Sequence, residues 1–242
     1  MALLEVKSVS KSFGALRAVD DISFSVGDGE IFGVAGPNGS GKSTLFNIIT
    51  KIPFGPDSGQ VVFAGREVQS YRANEIVGLG LVRTFQREAS FDSLNVFENA
   101  WLPATYGRKD PATEDVVVEA LSSVGFSADD LGRPARNLSV FDRKRLMLAS
   151  AVACAPKMIL LDEPASGLTK PEIEQTIGLV RDIAARGIAV LLIEHVLPFL
   201  MSLSQRLMVL NNGRIIGIGE PGTIMRDPAV VEAYLGTRRY DT

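Results

Sequence analysis

Three stretches of this sequence carry side chains of a type and spacing suited to phosphate chemistry. The first, "GPNGSGKST" at 36–44, fits G-x-x-x-x-G-K-[ST] and stands between the apolar "EIFGVA" and the apolar-spaced "STLFNIIT". Such a loop turns successive backbone N–H groups inward around a phosphate chain. Gly39 and Gly41 let the backbone come close, Lys42 brings a point charge to the β- and γ-phosphates, and the Ser43 hydroxyl is placed for Mg²⁺. Gly36, Asn38, Ser40 and Thr44 complete the candidate phosphate-binding set. The rival is a glycine-rich turn with a surface lysine, and the strand-loop-helix context opposes it.

The second stretch is "MILLDEP" at 158–164. Asp162, at the C-terminal end of an apolar run, can hold Mg²⁺ directly or through water, and Glu163 can orient or deprotonate an attacking water. Taken alone, the two acids read equally well as a solvated pair after a core strand; the phosphate loop is what favours chemistry. The third stretch, "LLIEH", ends in His195, the sole histidine of the chain. Sheet ends collect ligand groups, so His195 either contacts the γ-phosphate or the hydrolytic water, or is an ordinary satisfied histidine.

Fainter signals lie elsewhere. Gln86 in "GLVRTFQ" reads locally as a solvated loop residue. Phe13 in "SKSFGALRAV" is either core or a face on which a purine stacks. "NLSVFDRKRLMLA" at 137–149 is either a plain capped helix or a nucleotide-contacting motif without its glycines.

The elements that must position these groups follow from periodicity. "DISFSV" alternates Ile22, Phe24 and Val26 with polar residues, as a half-buried strand does. "EIFGVAG", "KMILLDE" and "IAVLLIEH" are more continuously apolar, as buried strands are. "PEIEQTIGLVRDIAARG" opens on Pro171, ends at Gly187 and lines one face with Ile173, Ile177, Val180 and Ala184, predicting a helix. Strand, helix, strand in that order implies a right-handed crossover and a mostly parallel sheet. "RLMVLNNGRIIGIGEP" predicts a hairpin about Asn212-Gly213. "LPATYGRKDPATEDVV" at 103–118, with two prolines, reads as a loop inside a mainly helical insertion of about 85–155. "GTIMRDPAVVEAYLG" reads as two short helices about Asp227-Pro228, and "TRRYDT" as a tail.

Composition bounds the function. Lys and Arg total 25, Asp and Glu 28, giving 25 − 28 = −3. A slightly acidic chain lacks the basic footprint of broad nucleic-acid binding, so no nucleic-acid partner is expected. Cys154 is alone, which fits a reducing compartment. "MALLEVKSVSK" has no signal-peptide pattern, and runs such as "AVLLI" are far short of the 18 or so residues of a membrane span. The protein is expected to be soluble by itself, while free to sit against a membrane protein.

Together these stretches resemble the ATPase subunit of an ABC transporter, over about residues 3 to 236. The order matches: Phe13, the phosphate loop at 36–44, Gln86, "NLSVFDRKR", "MILLDE", "ASGLT" at 165–169, and His195. "GLVRTFQ", "LLIEHVLPFLMSLSQRLMVLNNG" and "DPAVVEAYLG" further resemble the branched-chain amino acid importers. The resemblance implies one α/β P-loop NTPase domain over 1–242. It would have a mostly parallel core sheet, an N-terminal antiparallel β subdomain, an inserted helical subdomain at about 85–155 and C-terminal helices at about 221–236. It implies an ATPase coupled to transport, with ATP and Mg²⁺. Glu163, His195 and Gln86 would be catalytic, Ser43, Gln86 and Asp162 would serve the metal, and Phe13 and Ser139 would complete the nucleotide site. The implied partners are two membrane permeases, a second ATPase subunit and, indirectly, an extracytoplasmic solute-binding protein, at the cytoplasmic face of the inner membrane. Residues about 87–101 would dock a permease helix.

The helix-start motif departs from the family's ideal L-S-G-G-Q. Leu138 and Ser139 are kept, but Val140, Phe141 and Asp142 replace Gly, Gly and Gln. Either Phe141 turns away, with Arg143, Lys144 and Arg145 offsetting Asp142, or the phosphate site this motif caps is weakened. Because the chain's two contributions to ATP sites are then unequal, a heterodimer is favoured over a homodimer. Thr169 also stands where many relatives carry Asp. Rival readings are an exporter motor, for example for lipopolysaccharide, a soluble ABC protein of repair or translation, and a nucleotide-gated subunit with weak hydrolysis.

Overall fold

A computed structural model of the chain describes residues 2–85 and 90–235. Gln86, the segment 87–89 and the tail "TRRYDT" lie outside them.

Two twelve-residue strands open the chain, β1 (Ala2–Phe13) and β2 (Leu16–Gly27). They pair antiparallel with Val6 opposite Phe24 and Val9 opposite Ile22, and these apolar residues are buried. The buried strand β3 (Ile31–Ala35) runs into the phosphate loop and helix α1 (Lys42–Thr50). β4 (Ser58–Phe63) returns to pair with β1, and β5 (Arg66–Glu67) extends it, so a four-stranded antiparallel sheet forms in the order β2-β1-β4-β5. Helix α2 (Ala73–Gly78) leads to β6 (Leu81–Arg83).

Helices α3 (Val96–Gly107), α4 (Glu114–Ser123) and α5 (Val140–Ala153) follow, and then β7 (Met158–Asp162), helix α6 (Lys170–Ala185) and β8 (Ala189–Ile193). Helix α7 (Leu197–Leu203), the hairpin of β9 (Arg206–Asn211) and β10 (Arg214–Gly219), and the short helices α8 (Pro221–Ile224) and α9 (Pro228–Leu235) complete it. The second sheet has the order β10-β9-β3-β8-β7-β6, parallel throughout except for the β9–β10 hairpin.

Both faces of this sheet are covered, which is why its strands read as unbroken apolar runs. Phe32 and Val34 of β3, Leu160 of β7 and Leu191 of β8 face the antiparallel sheet and α1; Ile31, Ile159, Leu161 and Leu192 face the core shared with the inserted helices. Register is what builds the site. Val34 pairs with Ile193, and Ile193 with Asp162, so the three lie in one row. The residues just beyond that row, at 36, 163 and 195, therefore leave the same edge of the sheet.

The loop expected over 103–118 is much shorter. α3 runs through Pro103, and α4 begins at Glu114. Proline inside a helix leaves the carbonyl four residues back without its donor; here Ser150 Oγ donates to that Asn99 carbonyl at 3.4 Å. α4 starts on a cap, Thr113 Oγ1 accepting from the Val116 N–H, with Glu114 and Asp115 in the first turn. Acids there are stabilised by the helix dipole.

Asn99 itself is buried and holds the loop before α3. Its Oδ1 accepts from the Phe91 N–H (2.7 Å), and its Nδ2 donates to the Phe91 (3.1 Å) and Asn95 (2.8 Å) carbonyls. Asn99→Ala is expected to lower the free energy of unfolding by about 1–3 kcal/mol, the cost of stranding such groups. Urea unfolding checks it, with a shifted midpoint and an unchanged slope as the expected result.

Candidate active site

The phosphate loop is held open by close backbone contacts. Gly36 (φ +144°) and Gly41 (φ +106°) adopt backbone that side chains rarely allow, and a Cβ would lie 2.2 Å from the Leu210 carbonyl oxygen at Gly36 and 2.4 Å from that of Ala18 at Gly41. The turn of the β9–β10 hairpin braces the loop from below: the Gly213 N–H donates to the Ser40 carbonyl (3.0 Å), and the Asp20 N–H donates to the Gly213 carbonyl (2.8 Å). Lys42 is buried and donates to the Gly36 (2.8 Å) and Pro37 (2.9 Å) carbonyls. Burial draws its ammonium below the ordinary lysine range, against the pull of Glu163 and Asp162. Asn38, Gly39 and Ser43 are exposed, Thr44 is half-buried and Ser40 is buried.

Asp162 and Glu163 are buried at the end of β7. The Asp162 Oδ2 is paired with Arg83 Nη2 at 3.0 Å, and Arg83 also donates to Asn47 Oδ1 of α1 (2.7 Å) and stacks over Phe46. Glu163 has a left-handed backbone (φ +51°), unusual for a residue with a side chain. Its N–H donates to the Ile193 carbonyl (2.9 Å), and its carbonyl accepts from the Ser166 N–H (3.2 Å) and from Lys144 Nζ of α5 (3.1 Å). Its carboxylate meets His195 Nε2. The structure thus brings Lys42, Asp162, Glu163 and His195 to one edge of the sheet. A half-exposed imidazole resting on a buried carboxylate can hold that carboxylate in place.

Phe13 and Ser139 stand apart from this cluster. Phe13 is 45% exposed and packs edge-on against Phe54 (5.2 Å between centroids), with Lys11 Nζ 5.7 Å from its ring centre. Ser139 is exposed at the N-cap of α5, its Oγ accepting from the Asp142 N–H at 3.0 Å. The Phe141 ring lies against the Arg145 guanidinium (5.2 Å), which Phe126 flanks at 4.7 Å. Asp142 is met by Arg145 at 2.5 Å and Arg133 at 3.7 Å. Of the three bases thought to offset Asp142, only Arg145 pairs with it among the described contacts. Arg143 binds Ser90 and Asp92 instead, and Lys144 reaches the Glu163 carbonyl. Thr169 caps α6, its N–H and hydroxyl both donating to Glu172.

The donor set suits Mg²⁺. The Ser43 hydroxyl and the Asp162 carboxylate are hard oxygens, and Mg²⁺ characteristically takes one or two protein oxygens and fills the remainder from phosphates and water. Among the described residues no group of three or more His, Cys, Asp or Glu is arranged to hold a metal ion by itself. Among those residues no helix is long and apolar enough to cross a membrane.

Arg83 and Glu194 carry no functional signal in the sequence, and Gly213 is read there only as a hairpin turn. Arg83 lies three residues before Gln86 at the end of a three-residue strand, too short to show a period. Glu194 adjoins His195, where an acid reads as ordinary, and the turn glycine reads as a hairpin only.

Comparison with known proteins places this geometry among relatives. The ABC transporter model matches residues 19–166, and a branched-chain amino acid ATP-binding cassette transporter model matches residues 214–240. The chain is 33% identical to the high-affinity branched-chain amino acid transport ATP-binding protein LivG of Salmonella typhimurium, over 97% of this chain and 98% of that one. It is 32% identical to the probable LivG of Methanocaldococcus jannaschii, over 98% of each. Among solved structures it resembles an ATP-binding cassette of an ABC transporter in its ADP conformation, with TM-score 0.88 and 31% identity over 98% of this chain and 99% of that one.

Lys42→Ala is expected to weaken ATP binding at least tenfold, since a charge-assisted hydrogen bond contributes about 1.5–3 kcal/mol. A nucleotide titration by fluorescence or calorimetry checks it, and unchanged affinity would remove the phosphate-loop reading.

Proposed function

The chain belongs to the ABC transporter family, and we propose that it is the ATP-hydrolysing motor subunit of an importer for branched-chain or related amino acids. The observation that carries this reading is the convergence of Lys42, Asp162, Glu163 and His195 on one sheet edge, in a chain similar along its whole length to branched-chain amino acid transport proteins. ATP is the substrate. Lys42 exchanges its bonds to the Gly36 and Pro37 carbonyls for phosphate oxygens as the loop N–H groups close on the phosphates. Ser43 and Asp162 would hold Mg²⁺, with Gln86 as a further contact, and the ion when bound would neutralise phosphate charge. Glu163 takes the proton of the attacking water, and His195 orients Glu163. Phe13 stacks on the adenine.

Two permeases, a second ATPase subunit and an extracytoplasmic binding protein complete the proposed assembly, at the cytoplasmic face of the membrane. Phe91 is 54% exposed and Tyr106 80% exposed, and with Leu102 they line one cavity; contiguous exposed apolar surface of this kind marks partner sites. They favour docking of a permease beside the stretch 90–106.

A heterodimer is the favoured form. ATP would lie between two subunits, with the start of α5 capping the phosphate held by the partner. Arg145 and Arg133 offset the charge of Asp142 and the Phe141 ring packs on Arg145, so what supports the asymmetry is the lack of glycine at 140 and 141, where bare backbone would let phosphate approach.

Glu163→Gln is expected to keep ATP binding and to cut hydrolysis by the assembled transporter roughly 10²–10⁴-fold, the range for a lost general base. Phosphate release by the intact complex checks it; normal turnover would show that Glu163 is not the base. Installing Gly at 141 together with Gln at 142 should raise turnover of the assembled complex. A fall would mean that "SVFD" is a working cap with its own geometry and that the asymmetry argument fails.

A further inference from the structure

We infer that Glu194 is a positioning residue, whose buried carboxylate ties the Glu163 turn to the His195 loop and so sets the contact between those two side chains. The inference rests on the reading of Glu163 as the base.

Glu194 is 1% exposed. Its Oε1 accepts from the Ala165 N–H at 2.6 Å; its Oε2 accepts from the His195 N–H at 3.0 Å and the Val196 N–H at 3.3 Å. The two oxygens serve different loops. One grips the chain two residues after Glu163, the other grips His195 itself. No other side chain among the described hydrogen bonds joins these two loops by their backbones.

A carboxylate out of water is costly unless hydrogen-bonded. Burial pushes this one above the ordinary glutamate range; the three N–H bonds oppose that, and nearby Glu163 adds to it. An uncharged residue would avoid both the burial and the repulsion. What a carboxylate supplies is two acceptors at a fixed separation, able to bridge donors on both loops. The need for such a bridge lies in Glu163, whose left-handed backbone persists only where its surroundings over-determine it. Lys144 holds the Glu163 carbonyl from the side of α5, and Glu194 holds the following turn from the side of β8.

Glu194→Gln tests this in the assembled transporter. The amide keeps the size and one acceptor oxygen but turns an NH₂ toward an N–H donor, releasing one loop from the other. We expect kcat to fall about 10- to 100-fold, the scale of a displacement of about 1 Å at a reacting group. ATP affinity by equilibrium titration should stay within about twofold, because the lost interaction acts only in the chemical step. Combined with Glu163→Gln, the change should slow residual hydrolysis by no more than about twofold, because residues acting as a unit are non-additive.

A kcat within about twofold of the parent would overturn the inference, as would loss of ATP affinity in step with kcat, or multiplying losses in the double variant. Should the Gln variant not fold, Glu194→Asp, which keeps the charge but is too short to span both loops, is judged by the same criteria. Normal hydrolysis by Glu163→Gln alone would remove the base itself, a result distinct from a normal Glu194→Gln beside an inactive Glu163→Gln.

Discussion

The carbonyl oxygen of Ala18 lies where a side chain on Gly41 or on Gly213 would have to go, 2.4 Å and 2.9 Å from their Cβ positions. Three backbone segments meet there: the end of the phosphate loop, the turn of the β9–β10 hairpin and strand β2 of the antiparallel sheet. A loop that cradles phosphate aims its N–H groups at the ligand and keeps few to brace itself, here the Ser40 N–H on the Pro37 carbonyl at 3.2 Å. The brace comes from beneath, through Gly213 to Ser40 and Asp20 to Gly213. The antiparallel sheet is therefore more than a platform for Phe13. It is one of the walls against which the phosphate loop is shaped.

The other half of the site depends on the parallel register. Because Val34, Ile193 and Asp162 lie in one row, the chain leaves β3, β7 and β8 at the same level, and the groups that follow meet. Arg83 links Asp162 to α1 through Asn47, and Lys144 links the turn after β7 to α5. The helix that carries Ser139 is thus hydrogen-bonded, through Lys144, to the backbone carbonyl of Glu163.

Residues whose chemistry and position coincide were legible in the sequence. "GPNGSGKST" names its glycines and its lysine, and Asp162, Glu163 and His195 each end an apolar run long enough to be read as a buried strand. The helix of α3 was not legible through Pro103, because the compensating donor, Ser150, lies 47 residues further along (150 − 103) on another helix. The placement of Phe141 and Asp142 was open for a similar reason: Phe126, which flanks the Arg145 guanidinium, and Arg133 precede the helix and are brought to it by packing. Side-chain ties between segments distant in sequence, such as those of Arg83 and Glu194, have no period and no motif of their own.

The claim joining these parts is that hydrolysis at this sheet edge drives solute across a membrane. The direct measurement places the assembled complex in lipid vesicles with ATP inside and follows leucine entry and phosphate release together. Leucine, delivered by its binding protein, is expected to accumulate only while ATP is present, with phosphate release rising alongside it. Leucine entry that continues without ATP, or phosphate release with no leucine accumulation, would contradict it.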